Sequence, residues 1–307
     1  MFDFLTAPKL PRTSLSISET YLAMVELRAR RGELSARNSG VTQLPAGLIR
    51  AHFTEPNITN EGVFQEHLGR VAEQASLSRV RKLMVTIPEA AGRSVVVSLE
   101  NQPASRTELN QMLEWKSERN LGCKVADVVL SSRQLKSLPG KLNYLISAIH
   151  KRVLEQYEKN LAAAGMTAGV IMPQHMGEAQ WLMRADITED QVLASVNPRG
   201  FTVVVVRGDE PVLVRDVICS TAEIEDEFYR VMLFYRDRLT TGQRAGLASR
   251  LLVIGSDEEQ DIFRRTLEAA LEKHPVTLNA QSLGFNLEPR APFNRLAAAA
   301  GLASLGC

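Results

Sequence analysis

The chain has 307 residues, is 45% hydrophobic and 23% charged, and sets 36 basic against 35 acidic side chains for a net charge of +1. This composition belongs to a globular protein with a sizeable core and excludes a disordered or fibrous one; the balanced charge excludes a long-range field that recruits nucleic acid. At this length the core forms one large domain or divides into two of roughly 150 residues each. The densest basic run, Arg28-Ala29-Arg30-Arg31, reads as a solvated turn between strands. Cys123, Cys219 and Cys307 are far apart and odd in number, without the spacing of a zinc or redox motif. They read as free thiols in a reducing cytoplasm. No apolar run approaches the ~18 residues of a membrane span, and residues 1–8 lack the charged region and apolar core of a secretion signal. Phe2, Phe4 and Leu5 in that stretch read as a frayed terminus.

In chain order, residues 14–18 and 21–27 read as strands around the polar turn Ser18-Glu19-Thr20, because Leu22, Met24 and Glu26 alternate with Ala23, Val25 and Leu27. Residues 33–43 offer a polar third strand, Leu44-Pro45-Ala46-Gly47 a turn, and 48–53 a further strand. Val63, Phe64, His67, Leu68, Val71, Ala72 and Ala75 fall on one helical face. His67 on that face is read as packed and hydrogen-bonded, since no second histidine or carboxylate stands at ligand spacing. Residues 82–87 and 94–99 are expected to pair around Pro88-Glu89-Ala90-Ala91-Gly92. A helix opening at Thr107 runs through Leu109, Met112, Leu113 and Lys116 to a stop at Gly122, with Trp115 expected to pack inside.

Ser137-Leu138-Pro139-Gly140-Lys141 is a break, followed by a strand at 142–149 and a helix at 151–164 with Val153, Leu154, Tyr157 and Leu161 inside and Gly165 at its end. A strand at 170–172 and a helix near 177–183 precede the acidic stretch 186–190, read as a boundary. Residues 201–206 and 211–217 form a hairpin. Ser220 and Glu223 have capping-box spacing before a helix striped by Ile224, Phe228, Val231, Met232 and Tyr235. A buried strand at 251–255, a helix capped by Asp257 and an alanine-rich helix at 293–305 finish the chain. The result is mixed α/β, with hairpins at 14–27 and 201–217 each preceding further α/β elements.

Several stretches, in order, resemble the PilM family of type IV pilus assembly proteins, relatives of FtsA in the actin-like ATPase superfamily. They are the opening hairpin Ser16 to Leu27, the turn Leu44-Pro45-Ala46-Gly47-Leu48-Ile49, the strand Met84-Val85-Thr86-Ile87-Pro88, Glu114-Trp115-Lys116-Ser117-Glu118, Ala162-Ala163-Ala164-Gly165, and the final Ala297 to Ala303. The resemblance implies a two-lobed actin-like fold. The first lobe would cover 1–189 with a small inserted α/β subdomain at about 56–140, and the second 190–307.

Such folds hold magnesium and phosphate between two hairpins, which takes an aspartate for the hydrated metal, glycines for close backbone approach and a lysine as a point charge. Anchored on Val25-Glu26-Leu27, the family pattern sets Ser16 at the aspartate, Ser18 at the glycine and Ala23 at the lysine. The second hairpin offers Asn197 within Ser195 to Gly200 and no aspartate; the adenosine turn is Ile254-Gly255-Ser256-Asp257, with one glycine kept. The cleft therefore reads as a degenerate nucleotide site at Ser16, Ser18, Ala23, Asn197, Gly255 and Ser256, with no metal, no cofactor and no catalytic residue expected. No Gly-x-x-x-x-Gly-Lys loop or Gly-x-Ser-x-Gly elbow is present, the five histidines are scattered, and Glu258-Glu259 and Asp226-Glu227 read as solvated charge in helical turns.

The resemblance further implies a non-enzymatic scaffold at the cytoplasmic face of the inner membrane. It would hold the cytoplasmic tail of a PilN-like membrane protein in a groove between first lobe and insert, with pilus motor ATPases as further partners. Arg50, Trp115, Lys116 and Arg119 are the candidate partner contacts. Two alternatives stand beside it: an ATP-binding switch or ATPase using ATP with Mg, and a GspL-like scaffold of type II secretion.

Overall fold

A computed structural model describes residues 9–30, 32–136, 142–185, 187–240, 247–287 and 291–307. The expected break at 137–141, Asp186, and Phe2, Phe4 and Leu5 lie outside the described residues. The chain opens with β1 (Thr13–Ile17), β2 (Tyr21–Arg30) and β3 (Glu33–Gln43), then α1 (Glu61–Gln74) and β4 (Lys82–Ile87). Next come β5 (Gly92–Leu99), α2 (Arg106–Leu121), β6 (Val128–Leu135), β7 (Leu142–His150), α3 (Lys151–Ala163), β8 (Thr167–Pro173) and α4 (Gln174–Met183). The remainder is β9 (Gln191–Asn197), β10 (Gly200–Arg207), β11 (Glu210–Ile218), α5 (Ile224–Leu239), β12 (Arg250–Ile254), α6 (Asp257–Leu271), β13 (Val276–Leu278), β14 (Phe285–Asn286) and α7 (Phe293–Ala303).

The strands form a six-stranded sheet ordered β14-β3-β2-β1-β4-β8, a five-stranded sheet ordered β11-β10-β9-β12-β13 and a three-stranded sheet ordered β5-β7-β6. The two large sheets open alike, with an antiparallel hairpin (β1–β2, β9–β10) whose first strand takes a parallel neighbour, β4 or β12. The small sheet spans Gly92–His150, so the insert does not begin near 56. α1 packs on β3, and β4 lies beside β1 with Ser14 opposite Met84. β4 and β5 therefore do not pair as expected. Pro88 and the 3₁₀ turn at Glu89–Ala91 end β4 after five buried residues, and β5 turns away to pair with β7.

The expected strand at 48–53 is a loop holding one bridge, Ile49 with Ile58. Asn57 organises it: Arg50 N donates to Asn57 O (2.9 Å) and Asn57 Nδ2 donates to His52 O (2.8 Å). Its backbone donors are thus spent locally, and no ladder can form. Asp190 is no solvated boundary residue. It is 1% exposed and held by Arg207 Nε (2.7 Å), Arg207 Nη2 (2.8 Å) and Tyr235 Oη (2.7 Å). The cap of α6 is Ser256, whose Oγ accepts from Glu259 N (3.3 Å); Asp257 is the first helical residue. His67 is buried, but its Nδ1 has no hydrogen-bond partner among the described residues. Trp115 does not pack inside, being 57% exposed.

α4 and α7 lie between the large sheets. One core cluster joins Ala23 and Val25 of β2, Trp181 of α4, Ala297 and Ala300 of α7, and Leu193 and Val204 of the second sheet. Small residues let these elements approach: Ser14, Ser16 and Thr86 are fully buried, and Gly177 meets Gly301 backbone to backbone. The Trp181 indole N–H donates to Ala297 O at 2.9 Å, satisfying its only polar atom.

Candidate functional site

The β1–β2 and β9–β10 turns point into a cleft between the large sheets. It has a volume of about 220 Å³ and is lined by Ser18, Thr20, Tyr21, Glu89, Gln174, Glu178, Ser195 to Pro198, Ile254, Gly255, Asn294 and Arg295. The first turn is closed by Ser18 N donating to Tyr21 O (2.9 Å), the second by Arg199 N donating to Asn197 Oδ1 (2.9 Å). Gly200 completes the second turn at φ +141°, where an added Cβ would sit 2.2 Å from Val217 O.

Of the six cleft positions read from the sequence, Ser18, Asn197 and Gly255 line it. Ser16 lies fully buried beneath, its Oγ accepting from Gln174 Nε2 at 3.0 Å. Ala23 is buried in the core on the same sheet face, opposite Ser16 in the hairpin register. Ser256 is turned into its capping box with Glu259. One hydrogen bond joins two residues lining the cleft, where a nucleotide would need open space: Asn294 Nδ2 donates to Gly255 O.

Three residues not picked out as site residues in the sequence carry the titratable groups here: Glu89 and Glu178, which line the cleft, and His175, bonded to Glu89. Glu89 accepts from the His175 backbone N–H (2.6 Å) and is hydrogen-bonded to His175 Nδ1. Glu178 is 2% exposed, and neither its Oε2 nor His175 Nε2 has a hydrogen-bond partner among the described residues. Burial, with the charge of Glu89 second, pushes the Glu178 carboxyl up to about 8; a hydrogen bond to Ser195 and His175 oppose this. For His175, burial alone disfavours the charged ring, but the Glu89 charge and hydrogen bond, with Glu178 and Asp216, outweigh it and raise the pKa. A helix face carrying His175 and Glu178 three residues apart, after a strand ending in proline, was the available signal.

These residues do not fit a magnesium triphosphate. No carboxylate stands at Ser16 or Asn197, two buried carboxyls line the cleft, and 220 Å³ falls below the ~300–1,000 Å³ of ligand pockets. Among the described residues no three His, Cys, Asp or Glu side chains are arranged to hold a metal ion.

A second recess, of about 210 Å³, runs along β8, the outermost strand of the six-stranded sheet. Its other walls are Val129 and Ser131 of β6, Ser147 and Ile149 of β7, and Leu154 and Glu158 of α3. It is therefore a groove between the first sheet and the small sheet. Arg50, Trp115, Lys116 and Arg119 do not line it. The last three meet on α2, with Lys116 Nζ at 5.8 Å and the Arg119 guanidinium at 5.7 Å from the Trp115 ring centroid; Arg50 is exposed on the loop after Gly47.

No protein-family model matches the sequence, and no curated protein matches it. Solved structures do. A chain of the "PilM-PilN type IV pilus biogenesis complex" superposes with a TM-score of 0.77 at 15% identity, over 97% of this chain and 99% of that one. A Bacteroides thetaiotaomicron protein "with actin-like ATPase fold and unknown function" superposes with a TM-score of 0.52 at 10% identity, over 97% and 98%. The paired hairpins, the two helices between the sheets and these superpositions agree: the chain has the actin-like ATPase fold, in the arrangement seen in the PilM-PilN complex.

Proposed function

We propose that this protein is a PilM-type scaffold of the type IV pilus assembly platform. It sits at the cytoplasmic face of the inner membrane and takes the cytoplasmic tail of a PilN-like membrane protein. The observation that carries the reading is the groove along β8. An outermost strand presents unpaired backbone groups to an added strand, and Val129, Ile149, Leu154 and Ile171 offer apolar contacts for alternate side chains. The full-length superposition on a chain from a PilM-PilN complex supports it.

The test is a titration of the full chain with the cytoplasmic tail peptide of a PilN-like membrane protein. Micromolar binding is expected, and no binding at high micromolar peptide overturns the reading. Val129 is 49% exposed, so Val129→Arg should leave folding intact while weakening binding at least tenfold, as the cost of a charge in an apolar contact.

The cleft fits a pseudo-ATPase in this reading. A triphosphate would meet Glu89 and Glu178 without a metal-holding carboxylate to offset them. Millimolar Mg-ATP is expected to leave the melting temperature unchanged. A rise of several degrees that EDTA abolishes would restore the ATP-dependent switch.

A further inference from the structure

The end of the six-stranded sheet away from the cleft is basic. β2 runs on past its last pair with β1, Glu26 opposite Thr13, and carries Arg28 and Arg30 out on the hairpin to β3. Arg12 lies beside that extension, its backbone O accepting from Leu27 N at 2.9 Å. β4 starts at the same edge, since it runs parallel to β1 with Met84 opposite Ser14, and it brings Lys82 with the preceding Arg81 and Arg79. The two carboxylates of these segments are already engaged. Glu26 accepts from Asn38 Nδ2 (2.7 Å) and pairs with Arg37 (3.7 Å), and Glu33 accepts from Asn286 Nδ2 (3.0 Å). Arg28, Arg30, Arg79 and Lys82 are exposed and have no carboxylate partner among the described residues. Solubility alone is served by interspersed signs, so in a chain of 36 basic and 35 acidic residues cations gathered at one edge make the molecule polar. An apolar side chain stands with them: Leu305 is 40% exposed next to Gly306, whose carbonyl accepts from Arg12 Nε at 3.0 Å.

We propose that this edge is a membrane-contact surface that lies on a bilayer of anionic phospholipid, with the arginines and Lys82 at the headgroup phosphates and Leu305 at the acyl boundary. Strand ends about 4.8 Å apart along one sheet edge present their cations together, and a flat polyanion meets them at once. Nucleic acid fits less well. The exposed aromatic side chains among the described residues, Trp115, Tyr229 and Phe234, are on α2 and α5, so none stands here to stack a base. The balanced charge of the whole chain leaves no extended track for a phosphate backbone. The choice of a bilayer as occupant rests on the reading of the chain as a scaffold at the inner membrane, and it gives that scaffold an orientation. Lys82 opposes Thr167, the first residue of β8, so the β8 groove opens at this edge and a membrane protein's tail lying in it would reach the bilayer from that end.

The test is flotation of the full chain with vesicles of phosphatidylcholine, alone or with about one third phosphatidylglycerol. The vesicles hold no membrane protein, so failure here leaves the tail-peptide titration standing, and failure there leaves this result standing. Binding to the anionic vesicles only is expected, and it should be lost at about 0.5 M salt, where screening shortens to a few ångströms. Each cation near such a surface is worth roughly fivefold in affinity, so Arg28→Gln with Arg30→Gln should weaken binding at least tenfold. Leu305→Ser should weaken it severalfold. Arg238→Gln with Arg265→Gln, exposed on α5 and α6, removes the same charge elsewhere and should bind as the parent does. All variants must melt with the parent protein; should the first pair not, Arg79→Gln with Lys82→Gln takes its place. No flotation, equal binding to uncharged vesicles, or equal loss in the two arginine pairs overturns the proposal. So does tighter binding to a short DNA duplex or to polyglutamate than to vesicles of matched charge, which would make that polyanion the occupant.

Discussion

Gly301→Ala should lower the unfolding free energy by about 3 kcal/mol, the upper range for forcing an extra methyl into a packed interior. At this chain length that is a fall in melting temperature of about 5 °C. The reason is the crossing of α4 and α7. A Cβ built on Gly301 lies 2.1 Å from Gly177 O, and one built on Gly177 lies 2.6 Å from Ala298 O. In both cases the obstacle is backbone, which cannot swing aside as a side-chain tip can. Relief requires the helices to separate, which would loosen the Trp181–Ala297 hydrogen bond and the contact of α7 with β1 and β2. Gly69 is the internal control. It is exposed within α1 with nothing within 4 Å of its added Cβ, so Gly69→Ala should stabilise by about 0.5–1 kcal/mol through helix propensity. The same chemical change thus has opposite signs at two helical sites. Melting of Gly301→Ala within 2 °C of the parent protein would show that the helices do not meet this closely.

Stability should fall as pH rises from about 5 to 9, by an amount on the order of 3 kcal/mol, and Glu178→Gln should remove most of the fall. The Glu178 carboxyl ordinarily titrates at 4.5 and is pushed up to about 8 in the folded chain, chiefly by burial and then by Glu89. Between those values the native state holds a proton that the unfolded state has lost, so stability declines as pH climbs through the window. His175 acts in the same direction. Its pKa is raised by the net effect of Glu89 and its neighbours, so its contribution is complete below 6.5 and is lost as pH rises through the folded value. At pH 9 the native chain would carry an ionised, buried Glu178 in the same cleft as Glu89, and the amide of Glu178→Gln keeps the volume without the charge. Urea unfolding at pH 5, 7 and 9 reads the difference. The parent and variant should agree near pH 5, the variant should be the more stable at pH 9, and parallel curves would refute the assignment.

Much of the fold is legible residue by residue. The hairpin β1–β2, β3, α1, α3, β10–β11, α5, α6 and α7 each announce themselves by periodicity, caps or a stop glycine, because these are local interactions. The capping boxes of Ser220–Glu223 and Ser256–Glu259 are of this kind, although Asp257 looked as good a cap as its neighbour. β6 was not visible: its residues Val129 to Gln134 are largely outward-facing, so no alternation marks it, and its pairing with β7 is what makes it a strand. The segment at 48–53 failed in the opposite sense, since its apolar residues looked extended while Asn57 drew its donors into a loop.

The sequence by itself determined a mixed α/β chain with two hairpins and no Asp-x-Gly at either, because these are written in residue identity and short-range spacing; the actin-like fold and its nucleotide positions came from the resemblance. Tertiary structure alone decided which strands are neighbours, what lines the cleft between the sheets and which edges stay open. Glu89 lies after β4 while His175 and Glu178 share α4; burial and then the Glu89 charge raise the Glu178 pKa, and for His175 the Glu89 charge and hydrogen bond outweigh burial. The outer edge of β8 becomes a surface because of sheet order, and sheet order depends on contacts between residues far apart in the chain.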